Sequence, residues 1–439
     1  MTQAQSTQTV KRPLWAGRTL ALIGIVLAAF NLRTAVTSIP PLFDVVGGEL
    51  GFGNGFTSVL GMMPTAAFAV FGFSTPIIAR RFGLEVTAIA AMVLAAGGQF
   101  GRVLVDSPSV FLVFSVVSLA GMGAGNVVLP PLVKRYFPDR IGGLSAMYLV
   151  ILQFGTMLPA LVTVPIANAV GWKLSLASWG VIAVAAVVPW LGPAFAQRKG
   201  NRAGTLVERS RPDDGTASVS AASGAAPADG DAMPVRQPRG RVWRSPIAIG
   251  LTLMFGSTSL NTYALFTWLP KIVVDAGRSA EFGGAMLSLF SGLGLVAGLL
   301  MPIVATRVRH PYPFVWACIA FFVAGYLGLW LAPGHGTVFW VILAGLGPST
   351  FPMSLTLVNV RTRTASGSAA LSGFMQGIGY ALACLGPLLF GLVHEATGSW
   401  TAPFGTLGLS LVMLAVGGYF ACRPHYLEDT WHAKDPVRV

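Results

Sequence analysis

The strongest constraint on this chain is a set of twelve long apolar stretches. Each runs for about 20 residues or more, the length a helix needs to cross roughly 30 Å of hydrocarbon. They cover 18–40, 54–79, 84–104, 109–133, 142–168 and 174–196, then 246–270, 282–306, 313–332, 337–358, 366–393 and 401–421. The runs are too long and too continuous for barrel strands, which alternate every second residue. Backbone in lipid must satisfy its own hydrogen bonds, so the expectation is an all-α membrane protein with twelve transmembrane helices. Pro64, Pro130, Pro159, Pro302 and Pro387 fall inside the spans, where neighbouring helices can satisfy the freed groups. The first span follows Lys11, Arg12 and Arg18. It exceeds a signal-peptide core and lacks a small-residue cleavage site, so it is expected to be a retained helix.

Charge supports this and adds orientation. Charged residues are 10% of the chain, against roughly 25% in a soluble domain. So few cannot coat a water-facing surface, which excludes an ordinary soluble enzyme, a disordered chain and a nucleic-acid binder. The net charge is nevertheless +13. With both termini in the cytoplasm, the basic residues fall mainly on inside segments: around Arg18, Arg80, Arg81, Lys134 and Arg135, in residues 198–245, and around Arg307, Arg361 and Arg423. Outside segments hold only Arg102, Lys173, Lys271 and Arg278. The excess is thus a positive-inside signal for a multi-pass protein of the cell (inner or plasma) membrane. No nucleic-acid partner is implied.

Residues 198–245 form the one long connection. Their centre, 216–231, is small, polar and interrupted by Pro and Gly, which predicts a disordered cytoplasmic linker. It divides the chain into an N-terminal six-helix half, 1–197, and a C-terminal half with a cytoplasmic tail, 246–439. The halves repeat. Pro76-Ile77-Ile78-Ala79-Arg80-Arg81-Phe82 matches Pro302-Ile303-Val304-Ala305-Thr306-Arg307-Val308, Ala120-Gly121-Met122-Gly123 matches Ala344-Gly345-Leu346-Gly347, and Leu144-Ser145 matches Leu371-Ser372. The offsets are 226, 224 and 227. Two six-helix pseudo-repeats related by an axis along the membrane normal form a transporter architecture, with substrate held near the midplane.

Several blocks are more specific: Asn31-Leu32-Arg33-Thr34-Ala35-Val36-Thr37 with Pro40-Pro41 in the first span, and Gly125-Asn126 followed by Lys134-Arg135-Tyr136-Phe137-Pro138 around the fourth. Tyr263 precedes Trp268-Leu269-Pro270, and Leu371-Ser372-Gly373-Phe374-Met375-Gln376-Gly377-Ile378-Gly379-Tyr380 precedes Gly386-Pro387. With these the chain resembles the major facilitator superfamily, and within it the cyanate permease branch with its 2-nitroimidazole transporter-like proteins. The resemblance implies the major facilitator fold and a small-molecule substrate moved by alternating access.

Two places depart from the pattern. After the second span, Arg80 stands where the wider superfamily has an aspartate, and Glu85 near one of its basic positions. Arg80, Arg81 and Glu85 are therefore candidates for a gating latch with the charges exchanged. In the seventh span Gly256-Ser257-Thr258-Ser259 stands where similar proteins often show Gly-Leu-Gln-Ser. A pocket amide is missing, so substrate identity does not carry over.

Arg33 is the one charge deep inside a span. A helix-centre Arg costs roughly 2.5–3.5 kcal/mol on insertion scales. It lies roughly 22 Å along the helix from Arg18 at 1.5 Å per residue, too far from the inner edge to snorkel easily. No Asp or Glu lies deep in a span to pair with it. A planar guanidinium in a wet central cavity suits a carboxylate or another small oxyanion. Thr37 shares its face at i+4. Further candidates for substrate contact are Asn31, Asn126, Gln153, Asn261, Tyr263, Gln376 and Tyr380; interhelical hydrogen bonding is the competing role for each.

Enzymatic constellations are missing. His310, His335, His394, His425 and His432 fall at span ends or in tails, no metal-spaced pair or phosphate loop is present, and Cys318, Cys384 and Cys422 sit singly in apolar runs. No cofactor or metal is expected, and the protein is not expected to be an enzyme. The leading expectation is a monomeric transporter of a small anion, by uniport, exchange or proton symport. The alternatives are an exporter of neutral or cationic drugs and a non-transporting membrane sensor on the same fold.

Overall fold

The computed structural model describes residues 18–209 and 241–430, and every regular element in them is helical. Twelve long segments follow in order. The first half contains α1 (Thr19–Leu50), α2 (Asn54–Phe82), α3 (Leu84–Gly101), α4 (Pro108–Tyr136), α5 (Ile141–Val170) and α6 (Trp172–Arg209). The second contains α7 (Pro246–Asp275), α8 (Ala280–Arg307), α9 (Tyr312–Leu331), α10 (Thr337–Val360), α11 (Ala365–Ala383 and Leu385–Thr397) and α12 (Thr401–Ala421). A short helix, α13 (Leu427–Thr430), follows. Eleven of the twelve are long and apolar enough to cross a membrane. The exception, α7, is 30 residues long but carries the run Gly256-Ser257-Thr258-Ser259 and Asn261-Thr262. Most of its residues are buried by protein, so little of its surface needs to suit lipid.

α6 continues to Arg209, beyond the end expected near 196. Most of the expected linker, 210–240, lies outside the described residues, as do 1–17 and 431–439.

The duplication is visible in the packing. α1 packs on α4, α5 and α6, and α7 packs on their counterparts α10, α11 and α12. Between the halves, α2 meets α11 and α5 meets α8. A two-fold relation that carries α2 onto α8 also carries α11 onto α5, so these are one contact used twice.

Charge sorts by face. Arg18–Asp139 (2.6 Å), Arg135–Glu85 (3.2 Å) and Arg363–Asp429 (2.6 Å) lie on one face. Lys173–Asp106 (3.0 Å) and Lys271–Asp44 (3.0 Å) lie on the other. Each pair joins residues that the charge pattern had assigned to one side. The first is called here the basic face.

Two helices break near mid-bundle. α11 breaks at Cys384, four residues after Tyr380. Pro387 accounts for this, because a proline lacks an N–H and crowds the carbonyl four residues before it. α1 breaks at Leu32-Arg33, where Arg33 leaves helical geometry at φ −129° and ψ −3°. Here α5 comes so close that a Cβ on Gly155 would stand 1.9 Å from the Phe30 carbonyl oxygen. Only glycine admits that approach, and the contact falls at the last turn before the break. A discontinuous helix at mid-depth is a recurrent way to present a side chain and free backbone to a transported solute.

Candidate substrate site

A cavity of about 870 Å³ lies between the halves. Its deep end is lined by Arg33, Phe68, Tyr263, Phe266 and Tyr380. Its mouth is lined by Pro130 near the end of α4, Ala146 near the start of α5, Pro302 near the end of α8 and Ala369 near the start of α11. These helix ends all belong to the basic face, so the cavity opens there.

The opposite face is sealed by close contacts between the halves. A Cβ on Gly61 of α2 would stand 2.4 Å from the Thr267 methyl of α7, and one on Gly391 of α11 would stand 2.0 Å from Ser58 Oγ of α2. One on Gly284 of α8 would meet the Ala160 carbonyl of α5 at 2.4 Å. Polar contacts finish the seal: Lys271 donates to Asp44 at 3.0 Å, and Asn168 donates to Glu281. A void of about 20 Å³ lies among Val36, Ile39, Pro64 and Thr267.

Arg33 is the one charged side chain among the described residues lining the cavity. Its guanidinium carbon lies 4.7 Å from the Phe68 ring centroid and 5.9 Å from that of Tyr263. Nη1 donates to the Tyr263 hydroxyl, and Tyr380 interacts with the same group. The contact crosses from the N-terminal half to the C-terminal half. A guanidinium presented this way, with aromatic faces beside it and no carboxylate in the lining, can hold one negative group.

Comparison with known proteins decides the family. Residues 21–384 match the Major Facilitator Superfamily. The chain belongs to this superfamily. Its relatives include the 2-nitroimidazole transporter of Escherichia coli (strain K12), 30% identical over 92% of this chain and 96% of that protein. The cyanate transport protein CynX of the same organism is 25% identical over 90% and 95%. Among solved structures, an inward-facing, unoccupied bacterial homologue of the human lysosomal transporter Spinster superposes with a TM-score of 0.68. It covers 96% of this chain and 99% of that one at 14% identity, which shows the fold. The protein is a membrane transporter.

Within this major facilitator bundle, Arg33, Asn126, Gln153, Tyr263, Gln376 and Tyr380 line one cavity. Asn126 donates to the Met122 carbonyl at 3.1 Å, and Gln376 to Ser372 Oγ at 2.7 Å. Gln153 reaches across the halves to the Ser291 carbonyl.

Three expected contacts lie elsewhere. Asn31 is fully buried and accepts from Gln99 Nε2 of α3 at 3.4 Å and from Thr34 at 3.0 Å. Asn261 is fully buried in the C-terminal half, donating to Ser410 Oγ and accepting from the Tyr326 hydroxyl, each at 2.7 Å. Thr37 donates to the Thr156 carbonyl at 2.8 Å. All three tie their helix into its own half, and none lines the cavity.

At the basic face, buried Glu85 accepts from Tyr136 at 2.8 Å and pairs with Arg135, while Arg80 and Arg81 are less buried. Arg18 holds the Asp139 carboxyl below the usual carboxylate range by hydrogen bonding to it. Glu428 of α13 accepts from the backbone N–H groups of Arg363 and Thr364 at 3.0 and 3.1 Å. Those bonds outweigh its partial burial and hold it below its ordinary value.

Sequence reasoning missed Phe68, Ser259, Phe266 and Phe290 in the lining. Ser259 had a signal, standing one turn before Tyr263 on the same face of α7. The phenylalanines had none, because an apolar ring facing a cavity cannot be told by sequence from one facing lipid.

Proposed function

We propose that this transporter moves a small anionic solute across the cell membrane by alternating access, with Arg33 holding the negative group between the halves. The observation that carries the reading is one guanidinium at the deep end of a cavity whose described lining has no other charge. A half-buried charge without a counter-charge is costly, and an incoming anion offsets that cost. Cyanate, named for one relative, is itself a small anion. If the basic face is cytoplasmic, as the positive-inside rule requires, both termini are cytoplasmic and the conformation described is inward-open. The protein then works as a monomer without a cofactor, by uniport, exchange or symport. Asn126, Gln153, Tyr263, Gln376 and Tyr380 orient the solute. Glu85 with Arg135, near Arg80 and Arg81, belongs to the inner gate.

The test uses purified protein with a panel of small anions, read by thermal shift and by uptake into proteoliposomes. A charge-assisted contact is worth roughly 1.5–3 kcal/mol, about 10- to 150-fold in affinity. Arg33→Ala should lose at least tenfold, and Arg33→Gln should recover little of it. Full transport by both variants, with unchanged melting temperature, would refute the anion role and favour export of neutral compounds.

A further inference from the structure

The guanidinium is boxed by rings from both halves. Phe68 of α2 meets Tyr263 of α7 edge-on at 6.5 Å and Tyr380 of α11 at 5.9 Å. Tyr380 in turn meets Phe255 at 5.1 Å, and Tyr263 meets Phe266 at 5.6 Å. Stacking and edge contacts of this kind favour a flat conjugated ligand over a saturated one of equal size. A second observation lies beside them. Ser259 lines the cavity, is 1% exposed, and its hydroxyl has no hydrogen-bond partner among the described residues. A buried hydroxyl without a partner is costly, and this one is set into the cavity wall one turn of α7 from Tyr263. Four residues apart, the two positions share a face of α7, offset by roughly 6 Å along its axis. The charge count adds a third constraint. One cation in the lining compensates one negative charge, so a second carboxylate would lie in the cavity without a counter-charge.

We infer that the site selects planar aromatic monocarboxylates over saturated acids, dicarboxylates and small inorganic anions. The carboxylate sits on Arg33 and the Tyr263 hydroxyl, and the ring packs against Phe68 and Tyr380. A polar substituent on the far edge of the ring pairs with Ser259. This rests on the reading that Arg33 binds an anion, and narrows it to one chemical class.

The experiment measures affinities of the purified full-length protein for benzoate, 4-hydroxybenzoate, cyclohexanecarboxylate, terephthalate, nitrate and benzamide by calorimetry. Benzoate should bind about tenfold more tightly than cyclohexanecarboxylate, the sum of two aromatic contacts, and more tightly still than terephthalate or nitrate. Phe68→Leu should close the gap between benzoate and cyclohexanecarboxylate. Ser259→Ala should weaken 4-hydroxybenzoate about three- to tenfold more than it weakens benzoate; it also serves if the Phe68 variant does not fold. Equal affinity for benzoate and its saturated analogue, preference for nitrate, or no benzoate binding would overturn the inference while leaving an anion site at Arg33 intact. Benzamide binding as tightly as benzoate, with Arg33→Ala indifferent to both, would overturn the underlying reading instead.

Discussion

Replacing Gly284 with alanine should shift the protein away from the conformation that opens on the basic face. Gly284 lies in the second turn of α8, at the sealed face. Its added Cβ would stand 2.4 Å from the Ala160 carbonyl oxygen of α5 and 3.6 Å from Pro41. The first contact is well inside van der Waals distance, and its partner is helix backbone, which cannot rotate aside. Overpacking of this kind costs roughly 1–3 kcal/mol. The gain in helix propensity from Gly to Ala, about 1 kcal/mol, is the same in every conformation and cancels. The clash exists only while α5 and α8 touch at this face, so the whole cost falls on one state. At 1.4 kcal/mol per tenfold, the population ratio moves by about 5- to 150-fold.

Thiol labelling can read that shift. Cys318, Cys384 and Cys422 are replaced by alanine, and Thr262, which lines the cavity, becomes the reporting cysteine. A membrane-impermeant reagent is applied separately to each side of sealed vesicles. Gly284→Ala should slow labelling from the basic face and speed it from the opposite face. Gly298, on the same helix, has nothing among the described residues within 4 Å of its would-be Cβ, so Gly298→Ala should leave both rates alone. Equal rates in folded Gly284→Ala protein, or the same change in the Gly298 control, would refute the argument.

Two further outcomes concern stability. Arg102 at the end of α3 is fully buried, and none of its three side-chain nitrogens has a partner among the described residues. Arg102→Met keeps the apolar stem and removes an uncompensated charge, so the melting temperature should rise by a few degrees, whereas a fall would contradict it. Glu428 is held below its ordinary value of 4.5 in the folded protein, so its carboxylate stabilises the fold above that value and loses this effect as pH falls through the lower folded value. The melting-temperature gap between wild type and Glu428→Gln, open at pH 7, should narrow steadily below about pH 4.5; a gap independent of pH would be inconsistent with this.

The spans were legible because lipid thickness, not tertiary context, sets their length, and their ends mostly agree within a few residues. Two are exceptions: α1 runs to Leu50, ten residues beyond the expected end at 40, and α6 runs beyond 196. The continuation of α6 to Arg209 follows the last apolar turn into a polar stretch where no lipid boundary marks a stop. The breaks were legible only in part. Pro387 announces the one in α11. The break in α1 coincides with the close approach of Gly155, which lies more than a hundred residues away in the chain, so nothing local to α1 announces it.

The candidate site shows the same division between local and distant causes. Arg33 stood out because it was a lone charge. Its neighbour two positions earlier, Asn31, turns instead to Gln99 on α3. α7 repeats this arrangement 230 residues later, with Asn261 buried in its own half and Tyr263 in the cavity. Two residues apart on a helix are separated by roughly 200°, so in each half the asparagine anchors the helix to its own bundle while the second residue faces the other bundle. The duplication therefore brings equivalent positions together across the axis between the halves, which is where Arg33 meets Tyr263. The two copies have diverged there in a way that matters for the charge. Two arginines would repel each other and call for a dianion. Two tyrosines would give an anion no counter-charge. One arginine and one phenol supply a single positive charge with a neutral hydroxyl beside it, a pairing that matches a monoanion and that neither half contains alone.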